Sequence, residues 1–171
     1  MENKPLEYHM KEGWIIFLFV FYILIILSGL SLLLYLMICK INNKLDWDDV
    51  STYTFLVSMT SAAMMTSVRY SQKLYKACID GRVSPVNTNK SVLVGNVFYF
   101  LLRPAYSVVF SVIFVVCLMG GLLFLSGGLD CAINERMVYL SAIVSGFVGF
   151  SIGNVMDMFE LVSKDRIGKI L

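Results

Sequence analysis

The sequence holds a single histidine, His9, and four cysteines, Cys39, Cys78, Cys117 and Cys131. A zinc hydrolase working in a membrane needs an HExxH-type pair of imidazoles, and a serine or cysteine hydrolase needs a base beside its nucleophile. His9 stands alone in a polar N-terminal stretch, so neither arrangement can be assembled around it. The cysteines show no CxxC spacing, which argues against a zinc site or a disulfide framework. An aspartyl dyad is missing as well, since Asp157 has no acidic neighbour within an apolar run. Gly120-Gly121 and Gly127-Gly128 close an apolar run without the strand or the lysine that a phosphate-binding loop requires. What is left is hydroxyl groups and a few charges. The expectation is therefore no enzyme, no catalytic residue, no metal and no cofactor.

The elements that carry these groups follow from composition. Hydrophobic residues fill 58% of the 171 positions and charged residues 15%, against about 45–50% and about 25% in ordinary soluble domains. A chain this apolar is expected in a bilayer, as one all-α integral membrane four-helix bundle with short cytoplasmic extensions. A net charge of +2 is too small to draw nucleic acid by bulk electrostatics. The apolar runs divide the chain into an N-terminal segment 1–13, a first span 14–38, an outer loop 39–49 and a second span 50–68. A cytoplasmic arm, loop and interfacial segment follows at 69–103, then a third span 104–126, an outer loop 127–136, a fourth span 137–156 and an amphipathic tail 157–171. The first run is too long for a signal-peptide core and has no small-x-small cleavage site after it, so it is expected to stay in place. Bulky Leu36, Met37 and Ile38 ahead of Cys39 likewise speak against lipidation there.

The spans differ in character. The first, Trp14 to Ile38, is uncharged and apolar on every side, as an outer helix facing lipid would be. The second follows Asp46, Asp48 and Asp49 and sets Thr54, Ser58 and Ser61 along one side, so it is expected in the interior. Its hydroxyls either pack against neighbours or line a wetted path in an assembly. Its helical pattern continues through Arg69, Lys73 and Lys76, which with Arg82 and Lys90 make either a turn facing lipid headgroups or a docking arm for a cytoplasmic partner. In the third run an arginine at mid-bilayer is costly and a proline suits a first turn, so Arg103 belongs at the inner interface and Pro104 opens the span. Residues 91–102 then lie in or near that interface. In the fourth, Ser141, Ser145, Gly149 and Gly153 recur every four residues with Ala142 and Gly146 beside them, a smooth strip for helix packing within the bundle or between subunits. Arg103 and Asp157 are placed to form an interfacial charge pair across helices.

Of the fourteen lysines and arginines, only Lys40, Lys44 and Arg136 fall in the outer loops when both termini are cytoplasmic, so that orientation is expected. Several features of the second half, Arg103-Pro104 opening a helix that ends in Gly120-Gly121, then Gly146-Phe147 and Gly149-Phe150-Ser151 before an acidic exit, resemble small four-span bacterial inner-membrane proteins. Among these is the membrane component of the Kiwa anti-phage system. The resemblance implies a homo-oligomer in the bacterial inner membrane that works with a cytoplasmic effector encoded beside it, and it carries no catalytic residue. Where many such proteins place a charge after Gly-Phe-Ser, this chain has Ile152 and Gly153, so no role tied to that charge is implied. The functional expectation is a non-enzymatic, self-associating membrane protein that anchors or signals to a cytoplasmic protein, without direct nucleic-acid contact. The alternative is a homo-oligomeric channel or membrane-permeabilising effector lined by the Ser/Thr-rich second helix; an immunity protein that holds a toxin in the bilayer comes third.

Overall fold

The computed structural model describes residues 8–41, 50–84, 90–125 and 135–167. In chain order they form a two-residue strand β1 (Tyr8–His9), helices α1 (Glu12–Ile41) and α2 (Val50–Ile79), a second short strand β2 (Val83–Ser84), and helices α3 (Lys90–Leu101), α4 (Arg103–Leu125) and α5 (Glu135–Ile167). Apart from the two strands, which pair in parallel, the described fold is helical, in line with the expected all-α class. Three helices are long and apolar enough to cross a membrane: Glu12–Ile38, Arg103–Gly121 and Met137–Val155. The chain is thus a membrane protein. Helix α2 falls below that measure because hydroxyl residues recur along it.

Helix α2 is the hub. It packs against α1, α4 and α5, and α4 and α5 also touch each other, giving a three-helix core with α1 laid against its side. The peripheral place of α1 shows in burial: 17% of its most apolar window is covered, against 39% for α5. Where α1 meets α2 the approach is close, since a Cβ on Gly29 would fall 2.5 Å from Met64 Cγ.

The ends of the helices follow from local chemistry. Helix α2 ends in a Schellman arrangement: Gly81 takes φ of 64°, the Arg82 amide donates to the Ala77 carbonyl at 3.0 Å, and the Gly81 amide donates to Cys78 at 3.3 Å. That turn aims the Arg82 carbonyl at β1, where it accepts the Tyr8 amide at 2.8 Å. Helices α3 and α4 are nearly continuous, because the amides of Leu102 and Tyr106 still reach Phe98 and Leu102 one turn back. Pro104 lacks an N–H, so the helical partner of the Phe100 carbonyl is missing. Helix α5 differs from the expected division into a span and a separate surface tail. It runs without a break to Ile167, with no glycine or proline between Gly153 and Ile167 to interrupt it.

Candidate functional site

Two regions of the bundle concentrate polar groups: the interior of the three-helix core, and the end that carries the strands. In the interior, every fourth residue of α2 turns inward: Thr54, Ser58, Ala62, Thr66 and Tyr70 are all buried. The Ser58 hydroxyl is 2.6 Å from Ser111 on α4 and 2.6 Å from Ser145 on α5, so one hydroxyl joins all three helices. One turn further along, Ser61 donates to the Ala142 carbonyl at 2.7 Å. Thr66 lies 2.7 Å from the Gly149 carbonyl and 2.8 Å from Ala62 in its own helix, and its single hydrogen serves one of them at a time. Thr54 turns its hydroxyl onto Val50 of its own helix at 2.8 Å. These bonds make up for burying hydroxyls away from water, and they fix the helices in register. The residues expected to line a path in an assembly are thus used inside one chain, with Thr54 and Ser58 fully covered and Ser61 bonded across to α5.

The small-residue strip of α5 faces the same core. A Cβ on Gly149 would collide with the Ala62 backbone, one on Gly153 would sit 2.9 Å from the Tyr70 hydroxyl, and one on Gly146 would sit 3.1 Å from the Ser61 hydroxyl. Ser141 and Ser145 are buried, and the Ala142 carbonyl is the acceptor for Ser61. Of the two packing roles open in the sequence, the described structure uses the strip within the chain, as the seat of α2.

At the strand end an apolar and aromatic cluster replaces the hydroxyls. Tyr8 and Met10 from the N-terminal segment, Leu18 and Tyr22 of α1, Tyr70, Leu74 and Ala77 of α2, Val97 and Phe100 of α3, and Ile152 of α5 form it. The Tyr8 ring stands edge-on to Phe100 at 5.1 Å, and Asn96 donates to the His9 carbonyl at 3.4 Å, so the N-terminal strand is held between β2 and α3. Tyr22 supplies the donor that Pro104 removed: its buried hydroxyl gives a 2.7 Å hydrogen bond to the Phe100 carbonyl. We refer to this unit as the cap.

The cations of the expected docking arm split into two groups. Arg69 turns onto α5, donating to the Phe150 carbonyl and to Asn154 Oδ1 (2.7 Å), with its guanidinium 4.9 Å from the Phe150 ring centre. Lys73 turns the other way, onto the Tyr99 hydroxyl at 3.3 Å. Arg103 is buried, stacked 4.2 Å from the Tyr99 ring centre and 5.4 Å from that of Tyr70. Lys11 and Lys76 point outward, and Arg82 is half exposed in a 2.9 Å ion pair with Asp80. The side chains of Lys90 and of Asp157, the expected partner of Arg103, lie outside the described residues. Cys78 and Cys117 are free thiols, and burial pushes the Cys78 thiol above its ordinary pKa.

Sequence reasoning placed α2 in the interior and Arg103 at a helix start, but it missed β1, the Tyr22 hydrogen bond and the inward turn of Arg69 and Lys73. Only Pro104 carried a usable signal, since a proline four residues after a carbonyl predicts an acceptor in search of a donor. Among the described residues no group of histidine, cysteine, aspartate and glutamate side chains could hold a metal ion. No protein-family model, curated protein or solved structure matches the chain.

Proposed function

We propose that this chain is a four-span protein of the bacterial inner membrane with both termini in the cytoplasm, a non-enzymatic, self-associating anchor that holds a soluble partner at its cap. The observation that carries the reading is the pairing of Tyr8 with Val83 and of His9 with Ser84. Strand β1 precedes α1 and β2 follows α2, so their contact returns the chain to the side from which it set out. With α1 a span, α2 is the return crossing. Its 30 residues, about 45 Å of helix, suffice for a hydrocarbon core of about 30 Å with a remainder that projects into the cap. Its low hydropathy is that of a helix whose hydroxyls face other helices instead of lipid. Helices α4 and α5 then supply the third and fourth crossings. The cap goes inside because the lysines and arginines gather at that end, with three of fourteen left for the outer loops.

The cap is an ordered surface too small to catalyse alone, and Lys11, Lys76 and Arg82 lie on its exterior, which suits an acidic face on a cytoplasmic protein. Native mass spectrometry of the protein, gently solubilised from cells that express its whole gene neighbourhood, tests the reading. A homo-oligomer carrying a soluble protein is the expected result; recovery of the chain without any protein partner removes the anchoring role. The likeness of the second half to small four-span defence proteins extends the proposal to anti-phage defence. Phage should then plate less well on cells with the intact neighbourhood than on cells lacking this gene, and equal plating removes that extension.

A further inference from the structure

We propose that the cap lies inside the cytoplasmic leaflet of the bilayer, with the outer faces of α3 and of the first turns of α1 covered by acyl chains and only its tip at headgroup level. The proposal rests on the four-span reading above and fixes where its inner boundary falls.

Three contacts set the helices level with one another. The Tyr22 hydroxyl meets the Phe100 carbonyl, the Tyr70 and Phe100 rings stand 6.1 Å apart, and Gly29 lies against Met64. Helices α1 and α3 both run inward from the strand end, and α2 runs back toward it. Eight residues back from Tyr22 and Phe100, about 12 Å at 1.5 Å per residue, stand Trp14 on α1 and Val92 on α3, with the last turns of α2 beside them. From Trp14 to Ile38 the first helix is uncharged and about 37 Å long, against about 30 Å for a hydrocarbon core and about 40–45 Å with both headgroup layers. A boundary at the level of Tyr22 would leave about 25 Å of that run in lipid, short of the core, and would set Ile16, Phe17 and Val20 in water. A boundary at Trp14 gives α1 its full crossing, and it carries α3 into the leaflet as well.

The surface of α3 agrees. Val94, Phe98 and Leu102 are exposed and continue at helical spacing into Tyr106, Val109 and Ile113 of α4, through the hydrogen-bonded junction, so one apolar stripe runs along both helices. No charge falls on α3 after Lys90. Because α4 is a span and meets lipid along this stripe, the extension of the stripe onto α3 meets lipid too.

The cations sort by the same boundary. Arg69, Lys73 and Arg103 lie below it, and each turns inward: Arg69 onto Phe150 and Asn154, Lys73 onto Tyr99, Arg103 against the rings of Tyr99 and Tyr70. Lys76 lies within about 3 Å of it, Lys11 and Arg82 lie beyond it, and all three are exposed. A charge at hydrocarbon depth must be met by protein, whereas one among headgroups is met by lipid phosphate and water. Arg103 thus lies deeper than the interface expected from the sequence, and a soluble partner reaches only the tip around Lys11, Lys76 and Arg82.

Spin labels on the full chain, in vesicles of phosphatidylethanolamine and phosphatidylglycerol, test this. With Cys39, Cys78, Cys117 and Cys131 changed to serine, single labels are attached at Val20→Cys and Phe98→Cys, each six residues inward of Trp14 and Val92, with Leu27→Cys near the centre of α1 and Lys11→Cys at the tip as references. All four side chains are exposed, so the labels stay out of the packing. Power saturation compares collisions with oxygen, which concentrates in lipid, and with a nickel chelate, which stays in water. The expected result is an excess of oxygen collisions at 20 and 98, equal at the two positions and smaller than at 27, with nickel in excess at 11. Nickel in excess at 98, with oxygen in excess at 27, would overturn the proposal and leave the spans standing. Nickel in excess at 27 as well would overturn the four-span reading with it. Shielding of position 98 from both reagents would mean that protein covers α3, and would overturn the assignment to lipid.

Discussion

Replacing Tyr22 with phenylalanine removes one oxygen atom and should destabilise the fold out of proportion to that change. The hydroxyl donates at 2.7 Å to the Phe100 carbonyl, and both residues are fully buried. That carbonyl cannot bond within its own helix, because the residue four positions on is Pro104. A buried acceptor left without a donor costs about 1–3 kcal/mol, whereas an average hydrogen bond between membrane helices is worth about 0.6 kcal/mol. About 1–2 kcal/mol is expected for Tyr22→Phe. The cause can be isolated by a double-mutant cycle: Pro104→Ala restores a backbone N–H to the Phe100 carbonyl, and in that background Tyr22→Phe should cost under about 0.5 kcal/mol. Equilibrium unfolding in mixed micelles, followed by tryptophan fluorescence, reads both costs. Equal losses in the two backgrounds, or no loss in either, would refute the reasoning.

Gly149→Ala should cost more than about 2 kcal/mol or expel α5 from its seat, because the new methyl group meets the Ala62 backbone, while Gly120→Ala meets nothing within 4 Å and should be neutral or slightly stabilising; thermal unfolding in detergent compares the two. Lys76→Glu should reduce recovery of a soluble partner without lowering membrane insertion, whereas Lys73→Glu should lower folded yield as well, because Lys73 is bonded to Tyr99 inside the cap; affinity capture beside membrane fractionation separates these outcomes. An impermeant thiol reagent should label Cys131 in intact cells and Cys78 only after lysis. Burial raises the Cys78 thiol, which leaves less thiolate at neutral pH, so its labelling after lysis should climb by about tenfold per pH unit until the raised pKa is passed.

How much of this was legible in the sequence depends on how local the physics is. The uncharged run of α1, the hydroxyl face of α2, the Arg103-Pro104 helix start and the four-residue repeat of α5 each depend on spacing along one helix, and each can be read there. The repeat did not say which helix it meets, since a smooth strip accepts any neighbour; the structure gives it to α2. Arg69 and Lys73 show the same limit from the side of side-chain length. They share a helical face, as the sequence indicated, yet their long side chains leave it in opposite directions, one to Phe150 and Asn154, the other to Tyr99. The β1–β2 pairing joins residues more than seventy positions apart through a two-residue strand, too short to leave a periodic trace.

The stripe that α2 turns inward also marks a change of packing along the bundle. From Thr54 through Thr66 it offers hydroxyls and alanine; from Tyr70 through Leu74 and Ala77 it offers aromatic and aliphatic surface. In lipid an apolar interior has no advantage over an apolar exterior, so directional bonds such as Ser58 to Ser111 and Ser145 must select the neighbours. Toward the cap, whose cluster joins residues of the spans to residues beyond them, aromatic and aliphatic packing takes over from the hydroxyl bonds. Tyr70 is where the two regimes meet, and aromatic and cationic groups gather around it: the ring of Tyr99, the guanidinium of Arg103 and, one residue before it, Arg69 reaching to α5. A helix that passes through both regimes carries any shift in the seating of α5 directly into the cap.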